Sequence, residues 1–276
     1  MAGIVTASAR IVNETTAAFR VELMKARHSK TLWITALAFS ILVIICGLFM
    51  FILKDPEQAQ RLGLLGAKAQ IFGGTADWSG YFTLLLAIMS IGGLVIFGFI
   101  FVWIFGREFG DKTVNDLLSL PTSRITIVSA KTIIAICWSV ALIVMVFVLM
   151  LIIGAILSLP GWSTRLVFDE LGQLVVTGLL AMILCIPFAL VASVTRGYLP
   201  AVGCIFLILI LSQVFSALGH SQYFPWSVPG LYSGAAETLA GEVQTQIGPM
   251  SYILVGVVVI ISLLAMDIWW KYADQT

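Results

Sequence analysis

Six apolar runs, each long enough to cross a bilayer, decide what this chain can fold into. They are Thr31 to Leu53, Tyr81 to Phe105, Ala130 to Leu159, Leu171 to Val194, Leu199 to Leu218 and Pro249 to Ile268. A helix needs about 20 predominantly apolar residues to cross the hydrocarbon core. Inside that core no water satisfies backbone amides, so a run of this kind must become a helix. The third run is long enough to tilt or to project from the bilayer. Composition agrees: 60% of the 276 residues are hydrophobic and 11% are charged, with mean hydropathy +1.07. A soluble domain carries about a quarter charged residues. The fold class is therefore all-α, a polytopic membrane protein forming a single transmembrane domain over residues 1–276.

Orientation follows from the distribution of cations. With a cytosolic N-terminus, Arg10, Arg20, Lys25, Arg27, Lys30, Arg107, Lys112, Arg124, Lys131, Arg196 and Lys271 lie inside. Lys54, Arg61, Lys68 and Arg165 lie outside. The bias places both termini in the cytosol, and an even number of spans fits that. The first thirty residues are mixed polar, and the first apolar run exceeds the h-region of a cleavable signal.

No Lys, Arg, Asp or Glu falls near the middle of a span. Proton- and sodium-coupled carriers usually need ionisable groups there, and charge-ring pores need them too. The energy source is thus expected outside the bilayer. The net charge of +1 and the lack of a basic tract give no reason to expect nucleic acid. Cys46, Cys137, Cys185 and Cys204 lie in apolar runs without CxxC spacing, which reads as small hydrophobes rather than metal or disulfide chemistry.

Enzyme motifs are missing. No GxxxxGK[ST] occurs, and the Gly, Lys and Thr between Gly106 and Thr113 have the wrong spacing with no preceding strand. His28 and His220 are far apart, so there is no HExxH. Asp267 stands alone at the end of span six, and no serine has a credible His partner. The chain is expected to be no enzyme and to bind no cofactor itself.

Four segments outside the runs carry information. Residues 10–30 recur with helical period through Ile11, Thr15, Ala18, Phe19, Leu23 and Ala26, an amphipathic helix ahead of span one. It reads as an interfacial helix, a docking helix for a cytosolic subunit, or both. Residues 106–124 form a charged island between spans two and three. Its acids Glu108, Asp111 and Asp116 suit a helix N-terminal half, and Pro121 would end that helix. Thr195-Arg196-Gly197-Tyr198 is a brief loop after span four. Residues 219–248 form an outer loop in which Pro225, Trp226, Pro229 and Gly230 interrupt regular helix with interfacial aromatics. Gly92, Gly93 and Gly98 in span two and Pro187 in span four read as packing or bending positions.

The island resembles the cytosolic segment of ABC-2 type permeases, membrane subunits of one class of ABC exporter. The resemblance rests on Arg107-Glu108-Phe109, on Lys112-Thr113, and on Leu117-Leu118-Ser119-Leu120-Pro121-Thr122-Ser123-Arg124. Lys112 stands where the family usually has Gly. The resemblance implies that 106–124 is the coupling helix seated in a groove of a separate ATPase subunit. Arg107, Glu108, Phe109, Asp111, Thr113, Leu117, Leu118, Pro121, Arg124 and Arg196 would then form the ATPase-coupling set. It further implies a re-entrant segment at Pro225, Trp226, Pro229 and Gly230, and a working unit of two permease chains, identical or paralogous, with two ATPase subunits that bind ATP and Mg. By the same resemblance the chain sits in the plasma membrane and exports an amphipathic or lipophilic substrate: a peptide antibiotic, toxic peptide, drug or lipid. A secondary carrier and a non-transporting sensor or scaffold subunit are the alternatives. If the coupling set is right, Glu108→Ala and Arg124→Ala should each lower transport-coupled ATP hydrolysis in the reconstituted complex; unchanged rates would remove both residues from it.

Overall fold

The protein is described by a computed structural model that covers residues 16, 19–55, 76–111, 113, 123–234 and 247–272. A helical segment over residues 19–27 leads into α1 (Lys30–Lys54). There follow α2 (Trp78–Gly110), α3 (Arg124–Ile156), α4 (Thr164–Ile183), α5 (Ile186–Val194) and α6 (Leu199–Ala217). Two 3-10 turns, Ser221–Tyr223 and Pro225–Ser227, precede the short α7 (Val228–Tyr232), and α8 (Pro249–Tyr272) closes the chain. Six spans result: α1, α2, α3, the broken pair α4–α5, α6 and α8. No strand occurs among the described residues.

Local chemistry sets the helix starts. Ser29 Oγ accepts from the Thr31 amide at 3.1 Å, Asp77 from the Gly80 amide at 2.7 Å, and Ser123 from the Thr126 amide at 3.1 Å. Each satisfies one of the orphan amides of a first turn. The helix ends run past the apolar boundaries. Span two continues to Gly110 rather than stopping at Phe105, because Arg107 and Glu108 find partners inside the protein. Span three begins at Arg124 rather than Ala130, span four at Thr164 rather than Leu171, and span six reaches Tyr272 rather than Ile268.

The bundle is built around spans two and four. In the apolar window of span two 67% of residues are buried and in that of span four 61%, against 17% in span five and 22% in span six. Small residues bring the spans together: a Cβ on Gly98 would lie 2.8 Å from Cδ1 of Ile205 on α6. Spans one, three, five and six present apolar flanks such as Ile44, Val144, Ile210 and Ile260 outward, as a bilayer requires.

Contacts at the two ends fix the alternating course. At one end Lys54 Nζ donates to the carbonyls of Leu157 and Ser158 beyond α3, and the Trp78 amide donates to Pro160 O at 3.1 Å. Trp78 also meets Trp162 edge-on with centroids 4.7 Å apart. Residues 19–27, Gly110, Arg124, Tyr198 and Trp270 gather at the opposite end.

Span four is broken at Leu184–Cys185. Pro187 has no amide to donate, and the Phe188 amide turns to Cys185 O at 3.0 Å. The Leu184 carbonyl that Phe188 would otherwise cap is free, and Trp226 Nε1 donates to it at 2.9 Å. The segment after α6 thereby packs on the break. Ser212 and Ser227 hydroxyls lie 2.9 Å apart, and Phe224 stacks on Phe215 with centroids 4.8 Å apart. Pro225 and Pro229 are buried, while Trp226 and Gly230 are half-buried.

Gly154 on α3 sits directly against the Trp78 ring, so a Cβ there would collide with a rigid indole. Gly154→Ala should lower stability by about 1–3 kcal/mol, the cost of overpacking. Gly172→Ala, where nothing lies within 4 Å, should be neutral or stabilising. Thermal unfolding of the detergent-solubilised variants checks both.

Candidate functional site

Five charged side chains meet where residues 19–27, the end of α2 and the start of α3 come together. Glu108 on α2 is 2% exposed and Lys131 on α3 is fully buried. Lys131 Nζ donates to Glu108 Oε1 at 2.8 Å and to the Ile104 carbonyl at 3.3 Å. Lys25 Nζ donates to the same Glu108 Oε1 at 3.0 Å and to Glu22 Oε1 at 3.1 Å. Glu22 lies 3.4 Å from Lys131 and 3.9 Å from Arg107. Arg107 also lies over the Trp103 ring, 4.7 Å from its centroid.

Sequence spacing explains how one short helix supplies two of these groups. Glu22 and Lys25 are three apart and so share a helix face. The buried stripe of residues 19–27 includes Glu22 and Ala26, while Val21, Leu23 and Met24 are 43%, 40% and 56% exposed. The helix thus turns Glu22 and Lys25 toward the bundle and leaves Val21, Leu23 and Met24 exposed beside Arg20 and Arg27. Burial by itself lowers the Lys25 ammonium, but Glu108 and Glu22 raise it and prevail, so it stays protonated above its ordinary value.

Two further contacts tie this end together. Arg124, the first residue of α3, donates from Nη1 to the Trp270 carbonyl at 3.2 Å. Trp270 Nε1 donates to Ser193 Oγ at 3.2 Å, and its ring meets Phe109 edge-on at 6.1 Å. Spans two, three, four and six are linked through that one residue. On the other side the Tyr198 ring lies in a groove left by Gly106 and Gly110. A Cβ on Gly106 would come within 3.0 Å of the ring and one on Gly110 within 2.8 Å. Burial and the nearby Asp111 carboxylate push the Tyr198 phenol up against the lowering effect of Arg107. The loop after span four is therefore seated on the end of span two.

The sequence-derived coupling set is distributed as follows. Arg107, Glu108 and Phe109 belong to the last turn of α2, Asp111 caps it, and the Thr113 amide donates to Glu108 O at 3.0 Å. Arg124 opens α3, and Arg196 stands in the left-handed region at φ 53°. Leu117, Leu118 and Pro121 lie outside the described residues, as do Lys112 and most of the island. Glu108 has its carboxylate turned into the protein, held by two lysines of its own chain. Sequence reasoning missed Lys131 and Glu22. Lys131 reads as a snorkelling cation at the head of an apolar run, and only the Glu22–Lys25 spacing hinted at an ion pair.

The sequence model described as "ABC-2 family transporter protein" matches residues 18–213, which span all of these groups except Trp270. The chain belongs to the ABC-2 family. It is similar to the bacitracin transport permease protein BCRB of Bacillus licheniformis, 26% identical over 189 residues that make up 68% of this chain and 88% of that protein. As an ABC-2 protein it is a multi-pass membrane subunit of an ABC transporter, a class that works with an ABC ATPase subunit. In this ABC-2 chain Arg107 and Glu108 of the ion cluster open the island that bears the family resemblance, and Lys131 follows it.

Breaking the cluster from one side strands a buried charge. Lys131→Met should lower stability by about 3–5 kcal/mol, the cost of removing one partner of a buried pair. Adding Glu108→Gln should recover part of that loss, measured as a coupling energy in a double-mutant cycle of thermal unfolding. Because the folded-state Lys25 value lies above the ordinary 10.5, its contribution is full below 10.5 and lost as pH rises through the raised value. Unfolding scans at alkaline pH should show that loss in the parent and a shallower one in Lys25→Met.

Proposed function

We propose that this chain is the permease subunit of an ATP-driven exporter that moves an amphipathic peptide antibiotic, or a comparably lipophilic cargo, out of the cell. The observation that carries this reading is the family match over residues 18–213, joined to an ion cluster that ties the N-terminal helix to both helices flanking the island. The bacitracin permease relative supports a peptide cargo. The lack of a phosphate-binding loop supports an external ATPase, and the cation bias supports both termini in the cytosol of a plasma-membrane protein.

The mechanism follows from what is rigid and what is broken. Two ATPase subunits bind ATP and Mg and close on each other. They pull on the island of each of two permease chains, residues 106–124. Glu108 transmits rather than receives that pull: through Lys131 and Lys25 it makes the end of α2, the start of α3 and the N-terminal helix move as one body. Tyr198 and Trp270 extend that body to the ends of spans four and six. The break at Leu184–Cys185 lets the outer half of span four and the packed segment around Trp226, read as a re-entrant hairpin, follow a different course. ATP must bind the outward-open arrangement more tightly for this to work.

Arg124 and Arg196 are the cations of the coupling set outside the buried cluster. Arg196 occupies a left-handed position that suits glycine. Arg196→Gly should therefore raise thermal stability by about 1 kcal/mol, yet lower coupled ATP hydrolysis if the side chain reaches the ATPase. Stability and coupling moving in opposite directions separates contact from fold. The deciding experiment is purification of the chain from its native membrane. A stoichiometric partner that hydrolyses ATP, and bacitracin resistance lost when that partner's nucleotide site is inactivated, support the proposal. A stable preparation without an ATPase overturns it.

A further inference from the structure

A cavity of about 510 Å³ opens between residues 19–27, the first turns of α1 and the adjoining face of α3. Its walls include Phe19, Leu23, Trp33, Ile134 and Trp138, and Arg27 stands at its edge. It adjoins the ion cluster but shares none of the cluster's five charged residues.

We propose that this cavity binds an anionic phospholipid, with an acyl chain along the wall that the edge-to-face pair Trp33 and Trp138 closes and the phosphate on Arg27. Four observations converge on that chemistry. The wall is mostly hydrocarbon and aromatic ring, and one of its polar atoms is already used: Trp138 Nε1 donates to Thr35 Oγ1 at 3.1 Å. A hydrocarbon tail needs no hydrogen-bond partner on such a wall, whereas a buried peptide or nucleotide does. Depth fits as well, since Trp138 is seven residues beyond Lys131 and so about 10 Å further along α3 at 1.5 Å per residue.

The mouth faces lipid rather than water. Val21, Leu23 and Met24 are exposed apolar residues of the adjoining helix, and Trp33 is 68% exposed one turn into span one. Such a helix lies in the headgroup boundary, and tryptophan marks the same level. Charge selects the headgroup. Arg27 is exposed and lines the cavity, while Glu22, the acid among residues 19–30, is buried in the ion cluster. Arg27 therefore meets the headgroup without a competing carboxylate. A lipid seated here would wedge the N-terminal helix against α3 and so hold Lys25 and Glu22 on Glu108 and Lys131.

The test uses the full chain in phosphatidylcholine nanodiscs containing a minor fraction of tail-brominated phosphatidylglycerol or, in parallel, tail-brominated phosphatidylcholine. The quenching at Trp33 and Trp138 is the difference between the parent and a Trp33→Phe, Trp138→Phe variant. We expect the anionic lipid to quench this component about fivefold more effectively at equal mole fraction, the preference one well-placed surface cation confers. Arg27→Gln should abolish the preference without changing the unfolding temperature. Native mass spectrometry of the parent and Arg27→Gln from mixed nanodiscs reads the same preference as retained phosphatidylglycerol, with no tryptophan replaced. Equal quenching by both lipids would mean ordinary boundary lipid and overturn the proposal. So would a preference that survives Arg27→Gln. Absence of quenching by either lipid would mean that protein fills the cavity, and would overturn it too.

Discussion

Everything at the end of the bundle where Lys25, Glu108 and Lys131 meet depends on one carboxylate oxygen shared by two ammonium groups. Glu108 Oε1 accepts from Lys131 at 2.8 Å and from Lys25 at 3.0 Å, and the carboxylate is almost wholly withdrawn from solvent. In a low-dielectric interior such a group is tolerable only with its partners in place. The three helices that supply Glu108, Lys131 and Lys25 are consequently obliged to stay together. A purely apolar joint between them would let one slide on another; a charge cluster permits only arrangements in which the ions still meet.

The rest of the bundle is arranged around that constraint. Spans two and four form its buried centre, and span two carries Arg107 and Glu108 at its end, so the cluster is anchored on the central pillar. Tyr198 in the groove of Gly106 and Gly110, and Trp270 between Ser193, Phe109 and Arg124, bring the other span ends along. Within span four, beside Leu94 of span two, lies a different kind of joint. Pro187 interrupts span four, and Trp226 occupies the carbonyl that the interruption releases. One hydrogen bond in place of a helical turn ties the break to the segment after α6, whereas five charged side chains tie the ends of α2 and α3 to the N-terminal helix.

The charges of the cluster were visible in the sequence, but their roles were not. Glu108 stood out because it lies in the charged island, and its likeness to a family pattern suggested an outward contact. The structure turns it inward, because helix α2 continues through Arg107 and Glu108 instead of ending where apolarity ends. Lys131 was hidden by its position at the head of an apolar run, where a cation that snorkels to the surface and one that pairs internally have the same sequence. Trp226 was singled out as an aromatic in a proline-broken segment; its acceptor, Leu184, carries no sequence signal at all, since any residue offers a carbonyl.

The amino-acid sequence alone determined that this is a six-span helical membrane protein, and it located the middle of each span, though span four begins at Thr164 rather than Leu171. Hydrocarbon admits only apolar helices with satisfied backbones, and that rule acts on each segment separately. It also marked the island and the family to which the island belongs. Tertiary structure alone decided which charges pair, which span forms the centre and where an apolar cavity meets a cation. Those outcomes depend on residues as far apart as Lys25 and Glu108, or Arg124 and Trp270. Whether a buried charge is stable is set by the neighbours that folding brings to it, not by the residues beside it in the chain.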